Sequence, residues 1–138
     1  MREALSYKAS HAAAEAVIDL GRKRGLRLSV SIVNRSGITK VILSDDGAGP
    51  MAVETGRRKA YTAAVTGMPT TLFAQFAADP RVAVTPPHVI DPQLLPVPGG
   101  LPISVDGEVV GGIGVGGADG DTDNAVAEEA LKQIQTLL

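Results

Sequence analysis

The chain reads as an α+β protein in which one meandering antiparallel sheet, made from two hairpins, carries helices at both ends and between the hairpins. Three observations predict this. Two pairs of strand-like segments are each joined by a tight turn, apolar residues at three- and four-residue spacing mark helices around them, and 138 residues fit one domain, taken as 1–138.

Leu5, Ala9, Ala12, Ala13, Ala16, Val17 and Leu20 predict an amphipathic helix over roughly 3–24, ended by Gly25. Leu28–Asn34 and Ile38–Ser44 are rich in β-branched residues and meet at Arg35-Ser36-Gly37, so they read as the first hairpin. After the turn-rich run Asp45 to Pro50, a helix extends from about Met51 to Met68, where Pro69 disfavours further helical backbone. Its inner stripe, Ala52, Gly56, Ala60, Ala63 and Gly67, is small enough for close packing. A shorter helix, from Thr70 or Thr71 to Ala78, stops at Asp79-Pro80.

Seven of the nine prolines lie between Pro80 and Pro102. That stretch is too proline-rich for a central strand. With Val82, Val84, Val89, Ile90, Leu94 and Leu95 it is also too apolar for a free linker, which predicts an ordered loop packed over the domain. The second hairpin, Leu101–Val105 and Glu108–Val115, turns at Asp106-Gly107 in a manner suited to a type I′ turn. A last helix, capped by Asp121 or Asp123, buries Val126, Ala127, Ala130, Leu131, Ile134 and Leu138.

Composition excludes several classes. The net charge of −2 and scattered cations offer no stripe for a phosphate backbone, and 3% aromatic residues supply no base-stacking platform, so nucleic acid is not an expected partner. Without cysteine there is no disulfide, thiolate metal site or thiol nucleophile. No apolar run approaches the ~20 residues that span a bilayer, and the N-terminal residues lack a signal-peptide core. A cytoplasmic protein with no membrane partner is expected.

Nine of the sixteen glycines fall between Gly99 and Gly120, around the second hairpin, which opens the backbone to close approach by a ligand or another chain. Gly112-Ile-Gly114-Val-Gly116-Gly117 resembles a dinucleotide fingerprint, but no further strand follows the last helix, so that reading fails. A phosphate-binding loop and a serine-nucleophile elbow are likewise missing from the sequence.

His11 and His88 are the only imidazoles. Tyr7, His11, Ala14 and Ile18 lie at i, i+4, i+7 and i+11, a second face of the first helix that calls for a partner. This makes His11 a subunit-contact residue, an iron ligand or an acid/base; His88 sits in the proline-rich loop. Lys59 follows Ala52 by seven residues and precedes Ala63 by four, so it points with the small stripe toward the interior. A lysine there needs a carboxylate, such as Asp45 or Asp46, or else binds an anion or acts as a base.

The run Gly56-Arg-Arg-Lys59-Ala60-Tyr61-Thr62-Ala63-Ala64, then Pro69-Thr70, Gly99-Gly100-Leu-Pro-Ile, Asp106-Gly107, the Gly112–Gly117 glycines and Asp123 resemble the GlcG/HbpS family over nearly the whole chain. The resemblance implies a profilin-like α-β-α sandwich, self-association into rings or octamers, and in some relatives binding of haem, free iron or a corrinoid-linked haem. Where the family commonly has an Arg-Met-Asp-Gly-Ala type segment, this chain has Leu43-Ser44-Asp45-Asp46-Gly47-Ala48, without the basic and methionine positions. Phe73 and Phe76 are the aromatic walls available to a porphyrin.

Three functions follow as expectations. The first is a homo-oligomer binding haem or a similarly flat or anionic small molecule at a subunit junction, with His11 as axial ligand and Lys59, Thr62, Gly99, Gly100 and Gly114 as further binding positions. The second is a cofactor-independent isomerase, lyase or hydrolase of small-molecule catabolism acting on a carboxylate or carbonyl substrate. There Lys59 holds the anion, the Gly99, Gly100 and Gly114 amides stabilise developing charge, and His11, Tyr61 or His88 moves protons. The third is a non-catalytic assembly subunit.

Overall fold

The computed structural model describes residues 3–138. Ser6 caps the first helix, α1 (Tyr7–Lys23), its Oγ accepting from the Ala9 amide at 3.1 Å. The first hairpin follows as β1 (Ser29–Asn34) and β2 (Thr39–Ser44), then α2 (Pro50–Thr66) and α3 (Thr70–Ala78). A single turn, α4 (Pro87–Ile90), interrupts the proline-rich stretch. β3 (Gly100–Val105) and β4 (Glu108–Gly116) form the second hairpin, and α5 (Gly120–Gln133) runs into a 3₁₀ turn, Gln135–Leu137. Asp106 and Gly107 both have positive φ, 52° and 78°, as a type I′ turn requires.

All four strands are antiparallel, yet the sheet is not a simple meander: its order is β2-β1-β4-β3. The two hairpins join through their inner strands, with Val30 opposite Val115 and Ile32 opposite Ile113. This pairing places the more buried strand of each hairpin at the centre and leaves the more exposed β2 and the Pro102-bearing β3 at the edges.

Alternation divides the sheet into two unlike faces. Val30, Ile32, Leu101, Ile103, Ile113 and Val115 point toward α1 and α5, whose Ala9, Ala13, Val17, Val126 and Ala130 complete the main core. The other face of β4 is bare, consisting of Gly112, Gly114 and Gly116, and α2 lies directly on it. A Cβ on these three glycines would run into the carbonyl oxygens of Ala60, Gly56 and Ala52 respectively. Two strand residues advance about 6.6 Å and four helical residues about 6 Å, so the glycines and the small helix positions keep step for two repeats. The resulting architecture is an α-β-α sandwich whose α2 layer packs backbone against backbone.

Two local expectations are corrected. Asp119, not Asp121 or Asp123, caps α5, its Oδ1 accepting from the Thr122 amide at 2.9 Å. The proline-rich stretch is not packed along its length: Val84 (84% exposed), Val89 and Ile90 face outward, and only Leu94 among its apolar residues is buried. Its second half is stapled instead by polar contacts from α2, because prolines leave carbonyls free and Arg58 donates to those of Pro92 and Leu94 at 2.6 and 3.0 Å.

Candidate functional site

α2 positions Lys59 as the sequence predicts, pointing inward, but the partner is different. Nζ donates to Asp123 Oδ2 and to the Val115 carbonyl, both at 2.9 Å, and both side chains are buried. Neither Asp45 nor Asp46 can serve, because the lysine stem runs across β4 toward α5 while Asp45 follows β2 at the far edge of the sheet. Asp123 also accepts from the Ala118 amide at 3.1 Å. Burial pushes its carboxyl above the usual range, with the Lys59 ammonium and the Ala118 amide opposing that shift.

Gly99, Gly100 and Gly114 gather around Lys59, and a side chain on any of them would collide with Lys59 itself or with α2. The close approach that the glycines permit is therefore taken up by α2 of the same chain. Gly100 donates its amide to Thr70 Oγ1 at 2.9 Å. Lys59 lines none of the cavities beside Asp19, Ser36 and Leu137.

Tyr61 and Thr62, one helical step on, serve the proline-rich stretch. Thr62 Oγ1 donates to the Arg58 carbonyl at 2.7 Å and accepts from the Leu95 amide at 2.9 Å. The Tyr61 hydroxyl donates to Asp91 Oδ2 at 2.7 Å; this bond, with burial, raises its pKa and holds the phenol neutral. Phe73 is core, and Phe76 is half exposed on α3.

His11 occupies the other side of the sheet. Of the predicted second face of α1, Ala14 is fully buried and Ile18 packs against the core, leaving Tyr7 and His11 outward. Tyr7 is 71% exposed. The two rings stack with centroids 5.9 Å apart and planes 19° from parallel, and Glu15 Oε1 lies 4.0 Å from His11 Nε2. Below them on the same helix, a cavity of about 310 Å³ is lined by Glu15, Ile18, Asp19, Arg22, Leu43 and Asp45. His88 lies on α4 with Nδ1 buried and without a hydrogen-bond partner among the described residues. Within one chain His11 and Lys59 thus stand on helices packed against opposite faces of the sheet.

Sequence reasoning missed two features. Asp123 stood out as a cap and as part of the family resemblance but not as the partner of Lys59, although a second acid one turn after Asp119 was the available sign of a carboxylate facing inward. Asp45 is the other: its carboxylate takes the Arg22 fork through Nε and Nη2 at 3.0 and 2.8 Å and accepts from the Asp46 amide. The Arg22 hydrogen bonds draw its pKa from 3.8 to about 2. A carboxyl with a lowered folded-state pKa stabilises the fold above its ordinary pKa and loses that contribution as pH falls through the folded value. Thermal melts of wild type and Asp45→Asn should therefore differ at pH 5 and converge between about pH 4 and 2. A gap that persists unchanged at pH 2 would refute the assignment.

Among the described residues no group of three or more His, Asp or Glu side chains is arranged to hold a metal ion, and no helix is long and apolar enough to cross a membrane. Against known proteins, the fold and motifs converge on one class. The family model described as "Haem degrading protein HbpS-like" matches residues 5–132, and the chain belongs to this GlcG/HbpS family. It is 30% identical to Protein GlcG of Escherichia coli strain K12 over 106 residues, 74% of this chain and 76% of that protein. A double mutant of Streptomyces reticuli HbpS superposes with a TM-score of 0.85 at 36% identity, covering 96% of this chain and 88% of that one. A PduOC:heme complex shares the fold, with a TM-score of 0.85, 24% identity and 94% of each chain covered.

Proposed function

We propose that the protein binds haem, or a closely similar flat iron-bearing ligand, through His11 at a junction between copies of the chain. The observation that carries this reading is the outward-facing imidazole of His11, whose side chain is 40% exposed and lies against the flat ring of Tyr7. A neutral imidazole nitrogen is a suitable axial donor for haem iron. Membership of a family described as haem-degrading supports the same ligand class, as does the heme bound by a protein of this fold.

The residues fit haem as one half of a site. His11 supplies a donor and Tyr7 a wall, but the neighbouring cavity of about 310 Å³ is acidic and shallow rather than an aromatic slot. A second copy laid against Tyr7 and His11 would supply the opposite wall and exclude water. Bound haem would contribute its iron chemistry; the chain's own residues hold the donor and shape the approach. Lys59 is spent on Asp123, so the reading assigns it no contact with the ligand.

Titration of the purified protein with hemin is expected to give a Soret band that His11→Ala weakens strongly, together with a melting shift. For one site at a hundredfold excess over Kd, binding adds about 2.7 kcal/mol. A spectrum unchanged in His11→Ala removes His11 from the role, and a hemin-saturated protein that is strictly monomeric by analytical ultracentrifugation removes the junction.

A further inference from the structure

We propose that Tyr7 is the positioning residue for His11, fixing the imidazole plane before the ligand arrives; this deepens, and rests on, the His11 reading above. The local geometry is dictated by the start of α1. Ser6 caps the helix and Tyr7 is its first residue, so Tyr7 occupies a turn already tied down by the Ser6–Ala9 hydrogen bond. Helical side chains lean toward the N-terminus, which carries the His11 ring back over the residue one turn earlier.

The outcome is the stack of 5.9 Å and 19° described above, within the range of offset aromatic pairs. Glu15 approaches Nε2 from the other side, but at 4.0 Å it is outside hydrogen-bonding range and holds the ring only loosely. The stack is therefore the firmer restraint on the imidazole.

Within the ligand-free chain Tyr7 makes few other contacts. It is mostly exposed, and its hydroxyl has no hydrogen-bond partner among the described residues. A large ring left in water on a chain with only four Phe, Tyr and Trp residues is explained if its face serves the neighbouring imidazole. The role depends on the ring and not the hydroxyl, which separates Tyr7→Phe from Tyr7→Ala.

The test uses the whole chain and hemin, with wild type, Tyr7→Phe, Tyr7→Ala and His11→Ala compared by Soret titration and by EPR of the ferric complex. NMR of the ligand-free proteins reads the His11 ring protons directly. Tyr7→Phe is expected to match wild type within about twofold in affinity. Tyr7→Ala should bind hemin about 2- to 10-fold more weakly, the equivalent of losing one aromatic pair. It should also alter the EPR anisotropy and move the His11 ring protons downfield as the ring current of Tyr7 is lost. If Tyr7→Ala matches wild type in affinity and spectrum while His11→Ala loses both, the positioning role is overturned and the His11 reading stands. If wild type gives no Soret band, or His11→Ala leaves it intact, both fall together. Because Tyr7 is exposed, both Tyr7 variants should keep the wild-type melting temperature to within a few degrees in the absence of hemin.

Discussion

Gly114→Ala is expected to destabilise the fold by about 3 kcal/mol or more, although glycine-to-alanine changes at unstrained sites usually stabilise by about 0.4–1 kcal/mol. The sign reverses because the added methyl has no space. It would enter the Gly56 carbonyl oxygen, and it would also crowd the Ala60 amide and the Lys59 Cβ. Backbone cannot rotate away as a side-chain tip can, so relief requires α2 to lift from β4 along its length. Overpacking a well-packed interior costs about 1–3 kcal/mol, and a clash with backbone belongs at or beyond the top of that range. Against a total stability of about 5–15 kcal/mol, the loss is visible in the midpoint of a urea transition. Ser104→Val on the exposed edge strand is the control and should stay within about 0.5 kcal/mol. A loss below 1 kcal/mol at Gly114 would show that the two layers are not in backbone contact.

Lys59→Met should cost about 3–5 kcal/mol, because it leaves the Asp123 carboxylate buried without its cation. Asp123→Leu, the complementary change, strands the ammonium and should cost a similar amount. Combining them removes both charges, and replacing a buried ion pair by apolar groups is often close to neutral. The double variant is thus expected to recover most of the loss, though not all. The Val115 carbonyl and Ala118 amide also lose their partners. Urea unfolding of the four proteins gives the coupling energy directly. Strictly additive single effects would mean that the two groups act independently.

Much of this molecule could be read in advance because its signals are local. The three- and four-residue recurrence from Leu5 to Leu20, the turn at Asp106-Gly107 and the stop at Pro69 each depend on neighbours within one turn. Lys59 could be placed inward for the same reason, since its relation to Ala52 and Ala63 is fixed by helical pitch. Its partner could not, because Asp123 lies 64 positions away and meets it only after α5 docks. Strand order failed on similar grounds: adjacent segments announce hairpins, but nothing in either hairpin states which strand of one will adjoin the other. The apolar character of Val84, Val89 and Ile90 pointed to burial, and prolines on either side held the backbone in an arm where burial does not occur within the chain. The glycines showed that something comes close. Only the matched advance of β4 and α2 reveals that it is another part of the same polypeptide. The placing of α1 and α2, and with them His11 and Lys59, on opposite faces of the sheet is a matter of how the layers dock and was equally hidden.

The junction of β1 with β4 has a bearing on how the protein is made. Residues 29–34 leave the ribosome long before residues 111–116, yet each is the other's central neighbour. During synthesis the first hairpin waits with one edge unpaired, and the alanine-rich flank of α2 has no glycine strand to sit upon. Assembly of the sheet is therefore deferred until β4 has been made and carries the kinetic cost of long-range loop closure. A nascent chain halted before Gly116 would display an open strand edge, the form of the molecule most in need of protection by a chaperone.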